Sequence, residues 1–376
     1  MKKILYIINV DWFYISHFLP VGLEGIKRGY EVHIACGITD KKEHLENLGF
    51  IVHPLSITRS GTSVKTEIKT IIEIYKIIKS IDVQVLEFFT IKPVLYGGIV
   101  SRFLKIPKKV FYITGLGYVF IAKGLKGFLV RNIVKTLYKL AISGKTNSII
   151  TENIYDKGLI NSLNAVNDNQ IKIIRGAGVD LSKYSYIEEK NENIKVSMGC
   201  RLLKDKGVFE YIEAAKFLKQ KLPNVEFELY GDIDIHNPAS LTSDDIEKIK
   251  NDGFVKVHGF TSNIAKVFSD SNIVVLPSYR EGLPKVLIEA AACGRAVVTT
   301  DVPGCRDAIE PNITGLLCKV KDSKSLASMI EKLIVDKNLR NSMGTAGREL
   351  AEKEFDINKV VEKHFEIYEG KLWKNY

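Results

Sequence analysis

The amino-acid sequence predicts an α/β protein built from two doubly wound, Rossmann-like parallel-sheet domains in tandem. Three observations lead there. Short apolar runs rich in β-branched residues alternate with helical patterns along the whole chain. At 376 residues the chain exceeds what one core comfortably holds. A polar stretch, residues 180–193, separates two such series. Apolar strands alternating with helices imply right-handed βαβ units and a sheet covered on both faces.

In the first series, residues 4–10, 31–36, 50–55, 83–89, 109–114, 147–151 and 171–174 read as strands, with amphipathic segments such as 64–80 and 93–104 between them. The opening Met-Lys-Lys and short apolar run, ended by Asp11, read as the first strand rather than a signal peptide. In the second series, strands fall at 194–198, 225–230, 254–257, 273–276 and 296–299, and helices at 207–220, 245–250, 264–268, 286–293 and 323–336. The expected division is a first domain over 1–180, a linker over 181–193 and a second domain over 194–356. Ile357, Val360, Val361, Phe365 and Tyr368 share one helical face, so the last segment, 357–376, is expected to return to the first domain. Open parallel sheets take ligands beyond the carboxyl ends of their strands, and two of them facing each other are expected to form a central cleft.

Composition narrows the function. With 45% hydrophobic and 26% charged residues, the chain is a soluble globular type. Its net charge of +10 is concentrated in one region, since every charged residue over 92–145 is basic. There, residues 120–140 interleave Phe, Leu, Val, Ile and Tyr with Lys and Arg at helical spacing, which favours an anionic membrane surface over a merely solvated helix or nucleic acid. No apolar run is long enough to span a bilayer, so the contact is expected to be peripheral. Cys36, Cys200, Cys293, Cys305 and Cys318 are scattered without a C-x-x-C pair, which argues for reduced thiols in the cytoplasm and against a zinc site.

The most informative segment is 278–294. A buried strand, Gly282 as a tight turn and Pro284 as the first residue of a helix would aim backbone N–H groups and a helix dipole at an anion such as phosphate. Glu281 and Glu289 flank that position; carboxylates repel phosphate, so they are expected to face the hydroxyls of a sugar or ribose, unless they are simply solvated. A second element, Gly199-Cys-Arg-Leu-Leu-Lys-Asp-Lys206-Gly207, places Arg201 and Lys206 after a strand. Alone they read as a solvated loop pair; beside the Glu281 segment they can neutralise a diphosphate from two sides. Asp232-Ile-Asp234 is a D-x-D string, read as loop-shaping rather than metal-binding, and His236 and His258 are read as structural.

Gly199-x-Arg201 with Lys206-Gly207, followed by Glu281-Gly-Leu-Pro-x-Val-Leu-x-Glu289-Ala, resembles the E-x7-E retaining glycosyltransferases of family 4, which have the two-domain GT-B fold. Arg175-Gly-Ala-Gly-Val-Asp180 and Thr314-Gly-Leu-Leu317 extend the resemblance. Ile15-Ser-His17-Phe-Leu-Pro20, Thr90-Ile-Lys92-Pro93 with Tyr96-Gly97, Thr114-Gly-Leu-Gly117 and Gly231-x-x-Asp234-x-x-Asn237-Pro238 are similar to the branch that builds bacterial O-antigen, capsule and lipid-linked glycans, nearest its N-acetylgalactosaminyltransferases acting on undecaprenyl diphosphate sugars. The resemblance implies that Arg201 and Lys206 bind the donor diphosphate, Glu281 the donor sugar and Glu289 the ribose, with Gly199 and the run Gly282, Leu283, Pro284, Lys285 and Val286 completing the donor site. It implies UDP as the nucleotide; no metal cofactor is expected, because Arg201, Lys206 and the helix N-terminus supply the positive charge a metal would contribute.

On the acceptor side the candidates are His17, Thr90, Lys92, Gly115 and Gly117. The loop after the first strand, residues 9–16, lacks the glycine pair common in the family, so Gly115 and Gly117 are the expected points of close backbone approach. No carboxylate pair with glycosidase spacing is readable, so the chemistry implied is front-face displacement. Two rivals share this architecture: a UDP-sugar 2-epimerase, which needs no lipid acceptor, and a non-catalytic nucleotide-sugar-binding protein.

Overall fold

The computed structural model describes residues 1–58, 63–116, 124–189, 193–234 and 237–370. They fall into two compact units, one drawn from residues 1–177 with 359–370 and one from residues 178–358.

The first unit carries strands β1 (Lys3–Val10), β2 (Glu31–Gly37), β3 (Ile51–Pro54), β4 (Val85–Phe89), β5 (Lys108–Ile113), β6 (Asn147–Thr151) and β7 (Ile171–Ile173). They pair in parallel in the order β3-β2-β1-β4-β5-β6-β7. Every residue of β4 is buried, as expected of a strand covered on both faces. Around the sheet lie α1 (Asp11–His17), α2 (Leu19–Lys27), α3 (Lys42–Asn47), α4 (Val64–Ser80), α5 (Ile91–Ser101), α6 (Gly124–Ile142) and α7 (Ile154–Asn161). β1 passes into α1 without a turn. Buried Asp11 secures that junction: its carboxylate accepts from Trp12 N (2.8 Å), Thr39 Oγ1 (2.7 Å) and Thr39 N (2.7 Å), holding the chain that follows β2.

In the second unit, β8 (Lys195–Gly199), β9 (Glu226–Tyr230), β10 (Lys256–Gly259), β11 (Ile273–Leu276), β12 (Ala296–Thr300) and β13 (Gly315–Cys318) form a parallel sheet ordered β10-β9-β8-β11-β12-β13. Its helices are α8 (Val208–Lys221), α9 (Ser243–Asp252), α10 (Ile264–Asp270), α11 (Lys285–Ala292), α12 (Ser323–Val335) and α13 (Lys337–Leu350).

The segment expected to be a linker, 181–193, is anchored to the second unit as far as it is described. Tyr184 is buried, and Glu189 forms an almost fully enclosed ion pair with Arg340 (2.6 Å) on α13. Its sparse apolar content hides these polar anchors. After α13, a π-helical turn leads to α14 (Ile357–Glu369), which belongs to the first unit from Lys359 onward. The outgoing and returning chains run side by side here: Val179 N donates to Phe355 O (2.8 Å) and Ile357 N to Val179 O (3.0 Å). α14 then packs through Phe365, which lies under the Arg28 guanidinium at 4.2 Å, and through Tyr368, whose hydroxyl donates to the fully buried Glu87 of β4.

Candidate functional site

In both sheets the strand order reverses direction at one place, between β1 and β4 and between β8 and β11. Loops leaving the carboxyl ends of the strands at such a reversal diverge and open a crevice. The two motif loops of the second unit leave from β8 and β11.

After β8 the chain makes a 3₁₀ turn, Lys204–Lys206, that ends at Gly207 with φ +78°. A side chain is impossible there: a Cβ would lie 2.2 Å from Pro277 O, so the loop after β8 presses against the backbone after β11. Asp205 O then accepts from Tyr279 N (2.8 Å) and Ser278 Oγ (3.1 Å), locking the two loops together. Tyr279 adds a second tie, its hydroxyl donating to Glu210 on α8 (2.6 Å). Behind the turn, Gly304 (φ +81°) has room only for hydrogen, since a Cβ would meet Glu281 O at 2.5 Å and Gly282 O at 2.4 Å.

This framework brings Lys206 Nζ to 2.5 Å from Glu281 Oε1. Both side chains are largely enclosed, at 18% and 12% exposure, against 41% for Arg201. Burial alone would lower the Lys206 ammonium, but the charge of Glu281 and its hydrogen bond outweigh that, and the group sits above the ordinary lysine value. Arg201 Nη1 pairs with Asp234 Oδ2 at 3.2 Å. The second carboxylate of the D-x-D string is therefore engaged with a guanidinium, and its backbone N–H donates to Ser240 Oγ (2.9 Å), in keeping with a loop-shaping role.

Pro284 is the residue before helix α11 rather than its first residue: its ψ of 120° is extended, and the helix begins at Lys285. The helix starts one position later than expected, and its first turn still comes just after the Glu281–Gly282 turn. Leu283 is buried and holds the turn to the core; Val286 packs against the same core. Gly199 ends β8 with Ile264 and Phe268 against it. Glu289 lies within α11 and is buried, its Oε1 accepting from Tyr184 Oη at 2.6 Å with Lys285 Nζ at 3.5 Å. Burial raises its carboxyl above the usual range, with Lys285 and the Tyr184 hydrogen bond pulling the other way. Nearby Cys200 is pushed up to about 12 by burial, which leaves it a neutral thiol.

In the first unit, His17 ends α1, stacks on Phe13 (centroids 4.1 Å apart) and has Nδ1 2.5 Å from Ser16 Oγ. Thr90 follows β4 with φ 70° and ψ 168°, a conformation rare for a β-branched residue. Its hydroxyl is buried without a hydrogen-bond partner among the described residues. Lys92 is no plain surface lysine: its ammonium lies 2.5 Å from Glu67 on α4, with both side chains mostly covered. Gly115 follows β5 with φ +104°. Gly117 and His236 lie outside the described residues. His258 stacks on Tyr230 with ring centroids 4.4 Å apart and lies 3.4 Å from Glu228.

The sequence does not mark the roles of Tyr184, Tyr279, Asp11 and Glu67. Only Tyr279 had a local signal, two positions before Glu281; the others act across 105, 28 and 25 residues.

Two family models match the chain: one described as glycosyl transferases group 1, over residues 182–350, and one described as glycosyl transferase 4-like, over residues 3–153. The chain is 30% identical to an N,N'-diacetylbacillosaminyl-diphospho-undecaprenol alpha-1,3-N-acetylgalactosaminyltransferase of Campylobacter jejuni, across 94% of this chain and 95% of that one. It is 27% identical to the capsular polysaccharide biosynthesis glycosyltransferase CapM of Staphylococcus aureus, across 91% and 90%. Among solved structures it matches Anabaena HepE in complex with UDP-glucose, with a TM-score of 0.76 at 18% identity, covering 98% of this chain and all of that one. That match establishes the GT-B fold of two parallel-sheet α/β domains.

Proposed function

The chain belongs to the group 1 glycosyl transferases, and from that premise we propose that it is a retaining enzyme carrying a sugar, N-acetylgalactosamine or a related hexose or N-acetylhexosamine, from a UDP-sugar to an undecaprenyl diphosphate-linked saccharide. The observation that carries this reading is the meeting of Lys206 and Glu281, with Arg201 alongside, at the strand reversal of the second unit.

Lys206 and Arg201 hold the diphosphate, and the start of α11 adds its dipole and the backbone of Gly282 to Val286. Glu281 and Glu289 take hydroxyls of the transferred sugar and the ribose. The acceptor hydroxyl oxygen bonds to the anomeric carbon on the face from which the diphosphate leaves. As the carbon–oxygen bond to phosphate breaks, a departing phosphate oxygen takes the hydroxyl proton, so UDP leaves and configuration is retained. The protein supplies orientation and charge stabilisation, and fixed cations carry the counter-charge a metal would otherwise contribute. His17, Thr90, Lys92, Gly115 and Gly117 serve the acceptor, with the buried Thr90 hydroxyl the group most in need of a partner.

The work is done at the cytoplasmic face of the membrane. Among the described residues no helix is long and apolar enough to cross it. Support for peripheral contact comes from α6, where Phe128, Leu129, Ile133 and Leu140 are exposed beside Arg131, Lys135 and Lys139.

The test is incubation with UDP- and GDP-sugars and an undecaprenyl diphosphate-linked saccharide, following nucleotide release and product linkage. UDP release that requires the lipid acceptor and yields an α-linked product is expected. Conversion of the UDP-sugar without acceptor would replace this reading with the epimerase.

A further inference from the structure

The carboxylate of Glu289 is reached by a residue from the chain that enters the second unit. Tyr184 donates its hydroxyl to Glu289 Oε1 at 2.6 Å, and the ring is itself buried. Contacts at the end of α11, just beyond it and at the returning chain hold that segment in place. Arg348 Nη1 donates both to Tyr184 O (2.8 Å) and to Ala292 O (2.7 Å), the last residue of the helix. The Tyr186 ring covers Gly294, where a Cβ would lie 2.3 Å from it. Five residues before Tyr184, Val179 pairs with Asp356 of the returning chain.

We propose that Tyr184 is a positioning residue, whose hydroxyl fixes the Glu289 carboxylate in the orientation that receives the ribose of the nucleotide sugar. The inference rests on the reading of Glu289 as the ribose ligand. A buried glutamate on a helix has several rotamers and a strong tendency to take up a proton; a phenol fixed to the neighbouring backbone restrains both. The bond engages Oε1 and leaves Oε2 outside it. The other groups facing this carboxylate are Lys285 one turn earlier on α11, Lys183 beside Tyr184, and Cys293, whose thiol burial pushes up to about 11 and keeps neutral. Tyr184 is one of the influences that lower the raised Glu289 carboxyl, so its removal moves that group further up.

The experiment compares Tyr184→Phe with Glu289→Gln in the full chain. Michaelis constants for UDP-N-acetylgalactosamine and for the lipid acceptor are measured across pH, with calorimetric binding of UDP and a melting curve for each variant. For Tyr184→Phe the donor KM is expected to rise about tenfold, the scale of one hydrogen bond to a charged group, with the acceptor KM unchanged and UDP binding weakened in parallel. The acidic limb of kcat/KM for the donor shifts to higher pH, since a less restrained carboxyl protonates earlier on acidification. An unchanged donor KM and acidic limb, in a variant that melts normally while Glu289→Gln weakens the donor, overturns the inference alone. Glu289→Gln with unaltered donor KM and UDP affinity overturns the ribose reading beneath it. Equal changes in both Michaelis constants with a lowered melting temperature assign Tyr184 to fold maintenance and also overturn the proposal.

Discussion

The strand reversals of the two units share an architecture and differ in what they hold. At the second, separate loops are locked through Asp205 O, Pro277 O and Gly304 until a lysine and a glutamate 75 residues apart touch. At the first, β1 runs straight into α1 under the grip of buried Asp11, and β4 ends at a strained threonine whose hydroxyl has no partner among the described residues. The lysine there, Lys92, is tied sideways to Glu67. One crevice brings a lysine and a glutamate from separate loops together, the other leaves a buried hydroxyl without a partner among the described residues, and the proposed donor and acceptor roles rest on that contrast.

The largest expected effect tests that contrast directly. Lys206→Ala should lower kcat about 10²- to 10³-fold, the scale for one preorganised charge-stabilising group, with little change in acceptor KM. A near-normal turnover would break the assignment. Arg201→Ala should cost less, about tenfold, because the guanidinium is more open to solvent screening; an effect equal to that of Lys206 would show that both cations close on the ligand. In the first unit, Thr90→Gly should raise stability by about 1 kcal/mol as strain is relieved, while raising the acceptor KM. A gain in stability with intact acceptor kinetics would remove Thr90 from the site.

The Lys206–Glu281 pair also has a pH signature. Its lysine is raised in the folded chain, so the stabilisation is fully present below the ordinary lysine value of about 10.4 and is lost as pH rises through the higher folded value. The melting difference between the parent and Lys206→Met should therefore be flat across neutral pH and shrink only in strong alkali. The smallest effect expected is that of a chelator: fixed cations should leave turnover in EDTA unchanged, and a loss restored by a divalent ion would reopen the D-x-D string.

Much of the fold was legible because buried parallel strands are contiguous apolar runs, and the Glu281 segment was legible because its parts are adjacent in the chain. Elements whose packing relies on small or polar residues were not. α13 is absent from the expected helices, since its buried face sets Arg340, Gly344 and Gly347 beside only Met343 and Leu350; the glycine at 344 lets it lie against Gly294 O, 2.2 Å from where a Cβ would stand. Likewise α1 is an aromatic stretch continuous with β1, and no break marks its start. The stretch 181–189 reads as a linker because its anchors, Tyr184 and Glu189, find their partners far along the chain, at Glu289, Asn272 and Arg340.

The docking of α14 sets an order of events during synthesis. Glu87 is made early and sits at the centre of the first sheet, but Tyr368 and His364 (3.4 Å from it) are translated only after the whole second unit. Until they emerge from the ribosome, the half that is born first lacks the hydroxyl that hydrogen-bonds its innermost carboxylate. The first unit is thus the last to be finished, and a chain stopped just before α14 carries the sheet of the second unit complete while the first still lacks its closing helix.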